Sequence, residues 1–199
     1  MGDSFLYTPA GLPRARALGV PFDGWPGPNN ALTDVDGVAV GYTTLISGDG
    51  PLVTGQGPVR TGVTGILPRP LELIHLPVFA GYHSFNGNGE LTGSHFVAEA
   101  GVAAGPITLT NTHACGIARD ATIGWLNSRR PGCLDDRWSL PVAAETYDGH
   151  LNDINGGHVR AEHVEQALDS AVSGPIEEGS VGGGTGMCSF EFKAGSGTA

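Results

Sequence analysis

Apolar residues recur along this chain with two different periods, and the places where the period changes mark its elements. Val38–Leu45, Val59–Leu67 and Pro106–Thr110 are short apolar runs bounded by Gly, Pro or Asp, and they predict strands. Leu140–Tyr147 predicts another, and Cys188–Lys193 alternates so that Cys188, Phe190 and Phe192 share one face. Three stretches carry helical spacing instead. Ser94–Ala100 predicts a short helix with Ser94 as its N-cap. Gly116–Ser128 sets Ile117, Ala121, Trp125 and Leu126 along one stripe, and Ala161–Ala171 does the same with Val164, Ala167, Leu168 and Ala171. Consecutive strands first, then strands alternating with helices, predict layered α/β or α+β packing. No internal repeat and no boundary between domains is visible within 31–199.

The two ends break this pattern. Residues 1–30 hold Pro9, Pro13, Pro21, Pro26 and Pro28 with little periodicity, and read as an extended arm able to wrap a neighbour. At the other end a glycine cluster, Gly182–Gly186, leads into the alternating strand. A half-buried strand needs partners on both sides, so the polypeptide is expected to have been longer.

Composition narrows the class. A chain of 199 residues buries roughly 70% of its unfolded surface on folding. With 40% apolar residues it is expected to fold as a soluble globule. It has no run of about 18 apolar residues, so no membrane span is expected. The start, Met1 to Pro9, lacks a basic segment followed by an apolar one, so no signal peptide is expected. Net charge is −10 with Lys193 the only lysine, which repels phosphate backbones and argues against nucleic-acid binding. Cys115, Cys133 and Cys188 form no C-x-x-C pair, which points away from a disulfide framework and toward a reducing compartment such as the cytoplasm. Glycine, at 33 residues, is more than twice its usual share of about 7%. It lies between apolar runs without a period, which predicts tight turns and close backbone approaches.

Several stretches invite a chemical reading. Gly87–Gly93 is one residue too long for the dinucleotide fingerprint, and Gly182–Gly186 lacks the lysine of a P-loop, so nucleotide cofactors are not expected. The seven histidines are scattered; His158 and His163 fall on different faces of a helix and read as surface or hydrogen-bonded side chains, so no metal is expected. Cys115 follows Asn111-Thr-His-Ala where a strand turns into a helix, a place that can lower a thiol pKa, with His113 nearby. The plainer alternative is a buried structural cysteine. The polar cluster Glu145–Asn155 contains no obvious nucleophile, but an amide such as Asn152 can aim a fixed dipole at a developing oxyanion. Here the plainer alternative is an Asx-rich turn.

The same segments resemble the family of L-aminopeptidase/D-amidase-esterases and bacterial β-peptidyl aminopeptidases. The likeness is carried by Pro21-Phe-Asp-Gly, Asn30-Ala-Leu-Thr-Asp-Val, Gly57-Pro-Val-Arg-Thr-Gly-Val-Thr and Asn86-Gly-Asn-Gly-Glu-Leu-Thr-Gly, continues through Thr110-Asn-Thr-His, and is most specific in two longer runs. These are Ala144-Glu-Thr-Tyr-Asp-Gly-His-Leu-Asn-Asp-Ile-Asn and Glu177-Glu-Gly-Ser-Val-Gly-Gly-Gly-Thr-Gly-Met. Arg129–Trp138 does not contribute.

The resemblance implies an α+β fold, a four-layer α/β/β/α sandwich like that of amino-terminal-nucleophile hydrolases, completed by a second (β) chain. It implies a precursor that cuts itself after Ala199, so that the β chain begins with the nucleophilic serine. Asn152 is then expected to help form the oxyanion hole, Glu90 to bind the free ammonium of the substrate, and Tyr147 to line that pocket. Substrates would be small peptides or amides with a free amino terminus, no cofactor would be needed, and four copies of the two-chain unit would assemble. A cysteine hydrolase using Cys115 and a non-catalytic binding domain are the competing expectations.

Overall fold

The computed structural model describes residues 3–198. Its centre is a four-stranded sheet formed by β1 (Ala39–Ser47), β2 (Val59–Leu67), β5 (Ile107–Asn111) and β6 (Val142–Thr146), in that spatial order. The first three run antiparallel; β5 and β6 are parallel. Two short strands lie between, β3 (Val78–Phe79) and β4 (Val102–Ala103), paired with one another. They are too short to carry a readable alternation, and the sequence pattern misses both. Helix α1 (Ser94–Ala100) precedes β4, α2 (Cys115–Arg129) crosses over between the parallel strands, and α3 (Ala161–Asp169) follows β6. A hairpin of β7 (Cys188–Ser189) and β8 (Phe192–Lys193) comes last.

One face of the sheet is covered by α2 and α3, and this is where the apolar core sits. Val63 and Leu67 of β2 pack with Ala118, Trp125 and Leu126 of α2 and with Val164, Ala167 and Leu168 of α3. Burying each large aliphatic side chain there is worth about 1.5–3 kcal/mol. Helix α3 comes unusually near the strands because two glycines pair beneath it, Gly41 of β1 opposite Gly65 of β2. A Cβ on Gly41 would stand 2.2 Å from the Ala167 carbonyl oxygen, and one on Gly65 would stand 2.9 Å from Leu168. Part of the glycine excess is thus a flat seat for a helix. Asp169 then joins the helices: its carboxylate takes the Trp125 indole N–H at 2.8 Å and both arms of the Arg129 guanidinium, at 2.9 and 2.6 Å.

Three expectations change. The stripe of α2 is rotated: Cys115, Ala118, Ala121, Thr122, Trp125 and Leu126 are buried, whereas Ile117 faces out. Ser94 is the first residue of α1 rather than its cap; Gly93 caps it with φ of 72°, because a side chain there would strike the Leu140 carbonyl. Cys188–Lys193 is not one alternating strand. Phe190 and Glu191 both take positive φ, 50° and 66°, and turn the chain back on itself in two residues. Phe190 and Phe192 are consequently exposed at 88% and 76%.

The amino-terminal residues fold back locally, with 3-10 turns at Asp3–Phe5 and Ala15–Leu18 and a bridge between Tyr7 and Pro13. Among the described residues no helix is long and apolar enough to cross a membrane.

Candidate active site

Parallel strands expose their carboxyl ends on one side, and loops leaving those ends build the usual binding crevice of such units. Here β5 ends in Asn111 opposite Thr146 at the end of β6. The residues that follow, Thr112 and His113 on one side and Tyr147 on the other, line an open cleft of about 630 Å³ together with Glu90, Glu145 and Asn155. Glu90 reaches this place through the Gly87–Gly93 turn, which is laid against β6: the Glu90 carbonyl accepts the Glu145 N–H at 3.1 Å, and Leu91 bridges Ala144. The Glu145 carboxylate accepts the Thr112 hydroxyl and stands 3.0 Å from where a Cβ of Gly89 would be. Two carboxylates, a phenol and an imidazole therefore converge on one exposed pocket. Such a group suits a cationic ligand better than an anionic one.

Behind the wall that runs from Tyr147 to Asn155 is a buried polar network. Asp148 and Asn152 are each 1% exposed. The Asn152 oxygen accepts the Arg60 backbone N–H at 3.0 Å, and its nitrogen donates to Asp148 at 3.0 Å. The first bond fixes the amide orientation, since only the oxygen can accept, and one N–H hydrogen of Asn152 has no partner among the described residues. Burial pushes the Asp148 carboxyl above its ordinary value, partly offset by hydrogen bonds from Thr61 and Asn152. Thr61 also accepts from Asn111 at 3.0 Å, and the Asn111 oxygen accepts the Ala114 N–H at the start of the α2 segment. One chain of bonds thus ties β2, the α2 entry and the polar cluster together.

Of the residues singled out from the sequence, Glu90 and Tyr147 meet in the cleft. Asn152 does not line it but lies in the network behind its wall. Ala199 falls outside the described residues. Glu145 and Asp148 belonged to a cluster noted as polar but were not picked out. A carboxylate at a strand end and one beneath a loop look alike in sequence until burial separates them. Cys115 is fully buried, its Sγ 3.8 Å from the Asn111 carbonyl, and burial together with the Glu90 and Glu145 charges pushes its thiol up to about 12. A thiol so held stays protonated and out of reach, which removes the support for a cysteine nucleophile. The glycine cluster is not a phosphate cradle. Gly182 and Gly183 donate their N–H groups to Thr44 and Thr64 at 3.0 and 3.1 Å, and Cβ atoms there would meet β2 and β5. His158 and His163 are hydrogen-bonded histidines, to Asp153 and to the Arg160 N–H at the start of α3.

The sequence model of peptidase family S58 matches residues 30–199. The chain belongs to peptidase family S58. Among curated proteins it is 57% identical over 188 residues to the β-peptidyl aminopeptidase BapA of Sphingosinicella microcystinivorans, covering 94% of this chain and 46% of that one. Among solved structures it is similar to the L-aminopeptidase D-Ala-esterase/amidase of Ochrobactrum anthropi, with 50% identity, a TM-score of 0.82 and coverage of 90% of this chain and 50% of that one. That enzyme is described as a prototype for the serine aminopeptidases and a variant of the Ntn hydrolase fold. A β-aminopeptidase from a Burkholderia species follows at 49% identity and TM-score 0.80, covering 90% of this chain and 49% of that one. The chain spans about half the length of the curated relatives it matches. Its fold is therefore the α+β sandwich of this family, of which the described residues form the sheet carrying α2 and α3.

Proposed function

We propose that this S58 chain is the larger part of a self-processed serine aminopeptidase acting on small peptides or amides with a free amino terminus. The observation that carries this reading is the meeting of Glu90, Glu145 and Tyr147 in one cleft at the carboxyl ends of β5 and β6. The half-length match to two β-peptidyl aminopeptidases supports it. In this reading the precursor is cut after Ala199, and the partner chain begins with serine. That serine carries both hydroxyl and α-amine, and an α-amine with a pKa near ~8 can take the hydroxyl proton close to neutral pH. Its oxygen adds to the substrate carbonyl, the proton passes to the leaving amine as the C–N bond breaks, and water then releases the acid from the acyl-enzyme.

The residues of this chain bind and stabilise. Glu90 pairs with the substrate ammonium and Tyr147 bounds the pocket; Asn152, behind that wall, offers its remaining hydrogen to the oxyanion where the partner chain's serine is proposed to seat the substrate carbonyl. The excess of acids, twenty against ten bases, agrees with a cationic substrate. Assembly into four two-chain units and a cytoplasmic location complete the proposal.

The test is to express the whole reading frame, weigh the product under denaturing conditions, sequence its amino termini, and compare a dipeptide amide with its N-acetyl derivative. The expected result is two chains, the smaller starting with serine, and hydrolysis of the free-amine substrate alone. A single chain, or equal hydrolysis of both substrates, refutes the reading.

A further inference from the structure

Among the described residues Arg14 is the only arginine or lysine that is buried, at 5% exposure. It enters from the amino-terminal segment and its guanidinium pairs with Glu178, Nε to Oε1 at 3.1 Å, while its remaining arm reaches the carbonyls of Ser4 and Asn29. Both side chains are sealed, 3% and 7% exposed. A buried ion pair recovers its desolvation cost only with difficulty, so stability alone is a poor reason for one, and conformational register is a better-attested use. The second oxygen of Glu178 shows what is registered: it accepts the Thr198 backbone N–H at 3.1 Å.

The rest of the track agrees. Gly179 and Ser196 exchange both backbone hydrogen bonds, at 2.7 and 2.9 Å, and the Ser196 hydroxyl donates to Val181 at 3.0 Å. Cβ atoms on Gly184 and Gly195 would stand 2.3 Å from the Ser196 nitrogen and 2.6 Å from the Gly179 oxygen, so only glycines let the segment lie this close. Gly195–Thr198 also borders a cavity of about 330 Å³ whose wall includes Glu145, and Glu145 is equally a wall of the candidate active cleft. The track and the cleft therefore lie on cavities that share Glu145 as a wall.

We infer that Arg14 and Glu178 are positioning residues for self-cleavage: the pair clamps Gly195–Thr198 in register and thereby presents the bond after Ala199 to the site. This rests on the self-processing reading above. A slip of one residue along a strand moves the chain by about 3.3 Å, and misplacement of about 1 Å can cost 10²-fold in rate.

The experiment follows conversion of the full-length precursor into two chains, with the unfolding temperature of each variant measured in parallel. Glu178→Ala and Arg14→Ala are expected to slow conversion by about tenfold to a hundredfold, while the fraction that is eventually processed hydrolyses peptide with unchanged kcat. Glu178→Gln loses the charge but keeps an oxygen for the Thr198 N–H. With one oxygen it keeps the Thr198 bond but not the ion pair with Arg14, so it should convert more slowly than wild type yet faster than Glu178→Ala, although its unfolding temperature falls as far. Conversion of Glu178→Ala at the wild-type rate overturns the inference, and so does conversion that merely tracks unfolding temperature across all three variants. An unaltered precursor that never divides overturns the self-processing reading itself and the clamp with it.

Discussion

The two faces of β2 are built on different principles. Toward the helices, Val63, Gly65 and Leu67 meet side chains and backbone of α2 and α3, and that face is closed by this chain's own apolar residues. Toward the other side, Gly62, Thr64 and Ile66 meet the Gly182–Gly184 turn and the cavity bordered by residues 195–198. There backbone donors, threonine hydroxyls and glycines take the place of packed aliphatic groups. The first face is a complete hydrophobic layer. The second is a polar, glycine-lined surface suited to holding a chain segment in register beside the cleft. Stability lives on one side of the sheet, and the candidate cleft opens at its edge.

The comparison breaks most sharply at Gly41. Gly41→Val would drive a side chain into the Ala167 carbonyl, 2.2 Å from the first added carbon, and α3 would have to leave the sheet. A loss of at least about 3 kcal/mol is expected, read as a collapse of the unfolding midpoint in urea. A variant with wild-type stability would show that α3 does not depend on the glycine pair.

On the chemical side the largest effect is expected at Asn152. Asn152→Ala should leave a processed, folded enzyme with kcat reduced about 100-fold or more, the usual cost of an oxyanion donor. It also leaves the Arg60 N–H without its acceptor, so stability should drop by about 1–3 kcal/mol. Normal turnover with lowered stability would make Asn152 a purely architectural residue. Glu90→Gln is expected to act more gently. It should raise KM for free-amine substrates by about tenfold, roughly 1.4 kcal/mol, and leave kcat close to normal. An unchanged KM removes Glu90 from ammonium binding.

How much of this could be read in advance differs between the two faces as well. Strand β2 was legible to the residue, and Val164, Ala167 and Leu168 were correctly placed on the buried stripe of α3, because burial on an apolar face leaves a period. The hairpin at Phe190 and Glu191 was not, since neither residue belongs to the types that signal a positive-φ turn. Nor was the glycine pair under α3: glycine records a close approach without saying what approaches. In the cleft, Glu90 and Tyr147 came from the likeness of whole motifs, and the structure puts them together. Asp148 and Glu145 escaped because the division of labour between adjacent acids is set by depth, which no local pattern encodes.

Asp148 offers the finest test of the polar side. Its carboxyl is raised above the ordinary 3.8 chiefly by burial, so the native state holds that proton more tightly than the unfolded chain does. Below pH 3.8 both states are protonated and the contribution is fully present; as pH rises through the raised native value it is lost, because the folded protein must then carry a buried charge. Asp148→Asn keeps an oxygen to accept from Asn152 while removing the charge. The stability of this variant relative to wild type is therefore expected to rise across that window and level off above it. Asp34, Asp153 and Asp169, whose carboxyls are all lowered, give stability that is lost toward acid. They are common to both proteins and cancel in the difference. Unfolding midpoints at closely spaced pH values would reveal the slope. A difference that is flat from acid to neutral would mean that Asp148 carries its charge in the fold as easily as in water, and that the network around Asn152 is wetter than its burial implies.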